Sequence, residues 1–421
     1  MRRSTVLLAS LAALNVACSP GALPGRPAGA ALTDGPQAQG RRRPATQEVQ
    51  IRFGSDAALQ ALTRRGLDLF EDVDLSHRTV GARVTPTQAA ALRRDGYEVV
   101  AVARASEGED GFPSGYRTVE ALHAELQAIA AQAPDLAHVV SIGKSLEGRD
   151  LPALRLTADA RAGLPRVLYY SGEHARELSP VEVTTDLAQH LVRGWSAKDP
   201  TVRELLTTRE VWVLPLLNPD GRVRVEGGDA MWRKNARKNA DSSVGVDLNR
   251  NHDNHWTLGN ARPGDEDFRG PAALSEPEAV ALSRFMAEQR FLLSVDIHSF
   301  AGMVLWPPGY TKQFSPKEAA LGRLGRPIAN RLAYKAGPIA RLLYQVSGDS
   351  STWVHEAHGT LSYTVELDDR GFHPGIGAAR RDFEDWRWPL LWMALRAKDP
   401  TNAELNLPPE PRHFAGLSLG R

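Results

Sequence analysis

The chain has one cysteine, Cys18, in 421 residues. A disulfide within the chain is therefore excluded, and neither a cysteine nucleophile nor thiolate ligation is expected in its body. Charge of one sign is also lacking. The formal net charge is +1 and no long basic run appears, so nucleic acid is not an expected partner. Past the N-terminus, no apolar stretch approaches the ~20 residues that span a bilayer, so no transmembrane segment is expected. Familiar reaction signatures are missing too. Gly143-Lys144-Ser145 lacks the upstream glycine of a phosphate-binding loop, with His138 in its place. His355-Glu356-Ala357-His358 is one residue short of H-E-x-x-H. No tandem repeat is visible.

What is present builds a globular protein. Hydrophobic residues make up 42% and charged residues 24%, enough for a large core, and the length suits two or three domains. Residues 1–18 have the pattern of an export signal: Arg2 and Arg3, a short apolar run over 6–16, then Ala17-Cys18. Cys18 stands where exported lipoproteins carry a lipid anchor, but Asn15 replaces the aliphatic residue usual three positions earlier. Secretion and attachment to the cell envelope both stay open.

Residues 19–46 are rich in Pro, Gly, Ala and Arg and are expected to be a flexible linker. Residues 47–104 alternate as β-α-β-β-α-β, a split-βαβ pattern, with Thr85-Pro86-Thr87-Gln88 as a helix start. A Gly- and acid-rich connector covers 105–113, with Arg104 just before it. The main domain spans 114–398. Apolar runs at 166–170, 211–217, 291–297 and 361–367 have the character of buried strands separated by helices. Ser179 to Glu182 and Ser275 to Glu278 have the spacing of capping boxes. The expected fold is α/β: a mixed, mostly parallel sheet with helices on both faces, preceded by a small α+β domain. Residues 399–421 form a Pro-rich tail expected to be loose.

Four ionisable residues fall at strand ends. His174 and Glu177 follow the strand ending near Tyr170, His298 ends the run 291–297, and Glu366 lies near the end of 361–367. Open α/β sheets form their sites at the carboxyl ends of strands, so these four converge on one edge. An H-x-x-E match alone is weak in a chain with 12 His. The second imidazole at a strand end gives it weight. Two imidazoles and a carboxylate would hold zinc with one position open for water.

Further blocks accompany these four. They are Asp247-Leu248-Asn249-Arg250, Tyr116-Arg117-Thr118, Ile142 to Arg149, Asn218-Pro219-Asp220-Gly221, Trp232-Arg233-Lys234 and Tyr344 to Gly348. With them the chain resembles zinc metallocarboxypeptidases of the pancreatic carboxypeptidase A/B family, and among bacterial members the carboxypeptidase T-like ones. The resemblance implies one Zn2+ per catalytic domain, bound by His174, Glu177 and His298, with Glu366 as general base and acid. It implies that Arg250 and Asn249 grip a substrate's terminal carboxylate and that Arg233 stabilises the oxyanion. Arg176 would be a further substrate-binding arginine, and Tyr344 would close over the bound end.

Phe300 departs from the pancreatic pattern, which has Tyr there. By the same resemblance, Ser351 falls at the position that sets specificity, with Asp349 two residues before it. The expected preference is for hydrophobic or aromatic C-terminal residues, with some acceptance of basic ones through Asp349. Residues 47–104 fit the family's pro-domain, which implies a zymogen cleaved near Arg104 or in the following linker; a permanent accessory domain is the alternative. The expected substrates are peptide or protein C-termini, met by a monomer. A same-fold cell-wall peptidase and a catalytically dead binding protein are the competing readings. The intact Arg250 and Tyr344 blocks weigh against the first, and the complete ligand set with Glu366 against the second.

Overall fold

The computed structural model describes residues 45–102, 111–158, 163–368 and 370–417. The export segment with Cys18, most of the linker, Arg104 and most of the connector lie outside the described residues. The chain divides into residues 1–44 and 45–421, and everything described belongs to the second unit.

Near the N-terminus four strands form one antiparallel sheet. They are β1 (Gln47–Arg52), β2 (Asp68–Leu69), β3 (Thr79–Val84) and β4 (Glu98–Ala101), in the order β2-β3-β1-β4. Alternation decides which face is covered: Val49 and Ile51 of β1 and Val80, Ala82 and Val84 of β3 are buried. The helices Asp56–Leu62 and Pro86–Arg94 supply Leu59, Leu62, Ala89 and Leu92 to the same core. Thr85 caps the second helix in both directions: its Oγ1 accepts from Gln88 N at 3.2 Å, and Gln88 Oε1 accepts from Thr85 N at 2.8 Å. The element order is the expected one. The second strand is short, Asp68–Leu69, because Phe70 and Glu71 turn away to be buried against other residues.

The remaining eight strands form a second sheet. They are β5 (Ala137–Lys144), β6 (Asp150–Leu156), β7 (Arg166–Ser171), β8 (Glu210–Leu214), β9 (Leu293–His298), β10 (Met303–Trp306), β11 (Lys335–Pro338) and β12 (Leu361–Glu366). Their order is β11-β10-β12-β9-β7-β8-β6-β5. The centre, β12-β9-β7-β8, is parallel throughout, and β10 pairs parallel with β11; the other pairings are antiparallel.

Central strands read as apolar runs because both faces are covered. On β7, Val167 and Tyr169 pack with Leu187, Leu191, Leu390 and Trp392 from the helices Leu178–Ser196 and Ile376–Arg396. Leu168 and Tyr170 point the other way, toward Leu282 and Phe285 of the helix Pro277–Gln289. This is the expected mixed α/β sheet between helical layers.

Three local expectations are corrected. The helix after β7 begins at Leu178, with Glu177 at its N-cap and no side-chain cap bond. The box expected at Ser179 fails because Glu182 is drawn instead to the buried Arg117, whose backbone N–H it accepts at 2.8 Å. The box expected at Ser275 fails similarly: Glu276 is the N-cap and accepts from Arg237 at 2.6 Å. The tail is not loose in its described part. Ala403, Leu407 and Phe414 are buried in the main core, and Glu404 binds Arg396 at 2.7 Å.

Candidate active site

The carboxyl ends of three adjacent parallel strands, β12, β9 and β7, carry the candidate residues. Glu366 and His298 are the last residues of β12 and β9 and lie in register. Beyond β7 the chain must turn sharply. Gly172 takes φ of 72°, and a Cβ there would lie 2.8 Å from Leu216 Cδ1, so glycine is required. Other sequence blocks pin the loop that follows. Asn218 N–H donates to Gly172 O at 2.9 Å, Asn218 Nδ2 to Glu173 O at 2.9 Å, and Ala175 N–H to Arg233 O at 3.0 Å. These contacts bring the Gly172–Glu177, Asn218 and Arg233 blocks together, although they are far apart in sequence.

His174, Glu177 and His298 are each no more than 2% exposed. Glu177 Oε1 lies 2.7 Å from His174 Nδ1, and Oε2 lies 2.9 Å from His298 Nδ1. One donor atom from each residue falls within 4.8 Å of the others. Two imidazole nitrogens and a carboxylate oxygen at that separation suit a zinc ion. Burial would raise the Glu177 carboxyl, but the two imidazoles outweigh it and hold the group below the ordinary carboxylate range. The outer nitrogen of His174, Nε2, is 3.2 Å from Asp247 Oδ1, and Asp247 Oδ2 accepts from Arg233 Nε at 3.0 Å.

The other expected residues surround these three. One cavity is lined by His174, His298, Glu366, Asn249, Arg250, Tyr344 and Asp349, with apolar walls from Leu305, Leu343 and Val346. Burial first, and the Glu71 carboxylate second, push Glu366 well above the ordinary carboxylate range. Arg250 is 9% exposed and donates to Asn249 O at 2.7 Å. Among the described residues no carboxylate lies at ion-pair distance from it. A buried guanidinium without a counter-ion is the natural seat for an anion.

Gly348 takes φ of 72°, and a Cβ there would fall 2.2 Å from Arg250 O. That close approach fits the 344–349 turn against Arg250. Asp349 then caps the helix Ser350–His358, accepting at Oδ1 from Thr352 N at 2.7 Å and from Ser351 Oγ at 3.1 Å. Its Oδ2 is buried without a hydrogen-bond partner.

These residues line up with a family. The zinc carboxypeptidase family model matches residues 122–383. The chain belongs to that family. Relatives include a zinc carboxypeptidase of Simulium vittatum, 32% identical over 61% of this chain and 86% of the relative. Human carboxypeptidase B is 32% identical, and mouse carboxypeptidase A4 29%; each match takes in 61% of this chain and 64% of the relative's length. Among solved structures, the carboxypeptidase A of Helicoverpa armigera aligns with a TM-score of 0.74 and 25% identity, over 85% of this chain and 98% of that one. Zinc is the family's metal, and the His174, Glu177 and His298 donors fit it.

Two residues that the sequence left unremarked reach this site from the four-stranded unit. Asp68 meets Arg176 with both oxygens, at 2.6 and 2.9 Å. Glu71 lies 3.4 Å from Arg233 Nη1, and its Oε2 is buried without a hydrogen-bond partner beside the same cavity. Arg176 is therefore turned toward Asp68 and does not line the cavity. Phe300 joins an aromatic cluster with Phe70 and Phe372, at centroid distances of 5.8 and 4.8 Å. No signal within residues 66–73 marks these contacts, since each depends on a partner more than a hundred positions away.

Proposed function

We propose that the protein is a zinc-dependent carboxypeptidase that removes the last residue of peptide and protein chains, made in a latent form. One observation carries the proposal: Arg250, buried and without a carboxylate partner among the described residues, shares a cavity with the His174 and His298 donors and Glu366. An anion held at Arg250 would lie at a fixed reach from the metal donors, which selects the terminal peptide bond.

Arg250 and Asn249 bind the terminal carboxylate, the planar fork of the arginine meeting two oxygens. Tyr344 closes over that end. Zinc, when bound, polarises the scissile carbonyl and makes its water a nucleophile near neutral pH. Glu366 takes the proton from the attacking water and gives it to the leaving nitrogen. Arg233 donates to the oxygen on which charge develops. The last side chain enters between Leu305, Leu343 and Val346, with Asp349 Oδ2 ready to accept from a basic end. Ser351 is engaged with Asp349 and with Thr364 Oγ1 at 2.9 Å, so it shapes this pocket and leaves charge recognition to Asp349.

Latency is supported by the closed state of the cavity. It holds ≈ 30 Å³, room for a water or two and not for a substrate residue. Glu71 lines it and faces Arg233, while Asp68 holds Arg176. Arg176 is thus held by a carboxylate of residues 47–101, and Arg233 is shared between Glu71 and Asp247. The Helicoverpa alignment covers 85% of this chain, more than residues 111–417 make up. Cleavage near Arg104 would release the segment. Export by residues 1–18, with or without a lipid at Cys18, completes the proposal.

The test uses full-length protein, before and after limited trypsin, on a blocked dipeptide ending in Phe. Activity should appear after cleavage, vanish with a zinc chelator, return with zinc, and fall about 10²–10⁴-fold in Glu366→Gln. Hydrolysis that survives chelation would overturn the mechanism. Equal activity before and after trypsin would overturn the latency.

A further inference from the structure

The structure assigns Asp296 the role of a positioning residue: its carboxylate fixes the His298 imidazole as the tautomer that offers Nδ1 to the metal. The assignment rests on the zinc reading of His174, Glu177 and His298. Asp296 and His298 are two residues apart on β9, so their side chains leave the same face of the sheet. Asp296 Oδ2 lies 2.8 Å from His298 Nε2, while Nδ1 faces the opposite way, 2.9 Å from Glu177 Oε2.

An imidazole that binds a metal through Nδ1 carries its proton on Nε2, and that proton needs an acceptor. Three groups lie near enough to consider. Asn249 Nδ2 is 3.3 Å from Nε2. Its amide orientation is set by Oδ1, which accepts from Ser350 N at 3.0 Å, so a donor nitrogen faces the ring and cannot take the proton. Glu173 Oε2 is 3.6 Å away, beyond a hydrogen bond. Asp296 Oδ2, at 2.8 Å, is the nearest carboxylate oxygen to Nε2, and we take it as the acceptor of that proton.

The setting of Asp296 offers that contact no cationic rival among the described residues. The residue is fully buried. Ser350 Oγ lies 3.2 Å from its Oδ2 and 2.9 Å from Tyr170 OH, so a short hydroxyl chain steadies the carboxylate. Among the described residues its one ion-pair partner is His298. A buried carboxylate with no Arg or Lys beside it is costly, and an imidazole carrying a metal's charge offsets that cost. The two ligand histidines are then served alike: His174 by Asp247 from a turn, His298 by Asp296 from its own strand.

The test measures zinc affinity of the full chain by competition with a chromogenic chelator. Asp296→Ala should bind zinc about 10–100-fold more weakly than wild type, and Asp296→Asn about tenfold more weakly, since an amide oxygen accepts without a charge. Glu173→Gln should change affinity less than about threefold, because its oxygen is out of hydrogen-bond reach. In the loaded enzyme Asp296→Asn should lower kcat and leave KM unchanged. Histidine ¹⁵N spectra of zinc-loaded wild type need no variant: His298 must carry its proton on Nε2. Wild type that fails to bind zinc would sink the zinc reading itself. Wild type that binds zinc, with Asp296→Ala within twofold of it or His298 protonated on Nδ1, would sink the assignment alone.

Discussion

In the eight-stranded unit, several buried carboxylates find their cations at home. Asp247 reaches Arg233 at 3.0 Å and His174 at 3.2 Å, and Glu182 and Asp186 both hold Arg117. In the four-stranded unit, Asp68 and Glu71 look outward instead, to Arg176 and Arg233 of the larger unit. The first pattern holds a fold together. The second would cost little to undo if the smaller unit left, because those arginines would then face substrate. Under the proposed latency, the first charges serve the architecture and the second serve occupancy of the cleft.

The largest effect should come from breaking the outward pair. Asp68 holds the fully buried Arg176 with two short bonds. Removing one partner of such a pair costs about 3–5 kcal/mol. Asp68→Ala with Glu71→Ala should therefore raise the activity of the uncleaved chain tenfold or more. After trypsin the variant and the wild type should be equal. An uncleaved double variant as silent as wild type would show that the two carboxylates are ordinary interface contacts.

A smaller effect tests a charge that belongs to the larger unit yet lacks a cation there. Asp349 uses Oδ1 as a helix cap and leaves Oδ2 buried beside the pocket. A charge-assisted hydrogen bond to a substrate ammonium contributes about 1.5–3 kcal/mol. Asp349→Asn keeps the cap acceptor and should cut the ratio of kcat/KM for C-terminal Lys over Phe about tenfold or more. An unchanged ratio would remove Asp349 from specificity and leave the apolar walls in charge.

The same division explains what could be read from sequence. The sheet was legible because the central strands are apolar on both faces. The candidate metal donors His174, Glu177 and His298, with Glu366 beside them, could be picked out because they follow or end those strands. Asp296 lies two residues before His298, yet the role proposed for it needs the direction of a ring nitrogen, which spacing does not give. Asp68 and Glu71 were illegible: their partners lie 108 and 162 positions away. The failed cap at Ser179 has the same cause, since a partner 65 positions off, Arg117, claims Glu182. Local rules held where a residue's partner is local, as in the Thr85 box.

The last effect, the smallest on activity, sharpens the comparison from the side of the larger unit. His190 is fully buried in the helix Leu178–Ser196 between Phe383 and Phe414, and neither ring nitrogen has a hydrogen-bond partner. Burial, helped by Arg387, lowers its pKa to about 4. The unfolded chain binds this proton near pH ~6.5 and the folded chain only near its own pKa. Stability is therefore complete above the unfolded value, falls as the pH drops between the two, and loses no more below the lower one. The shift corresponds to on the order of 3 kcal/mol. His190→Leu should match wild type at neutral pH and lose less on acidification, seen as a higher urea midpoint near pH 5. Because His190 belongs wholly to the larger unit, the same difference should persist after trypsin. A wild type and variant that fall in parallel with pH would place the acid sensitivity elsewhere, with the outward-facing carboxylates the next place to look.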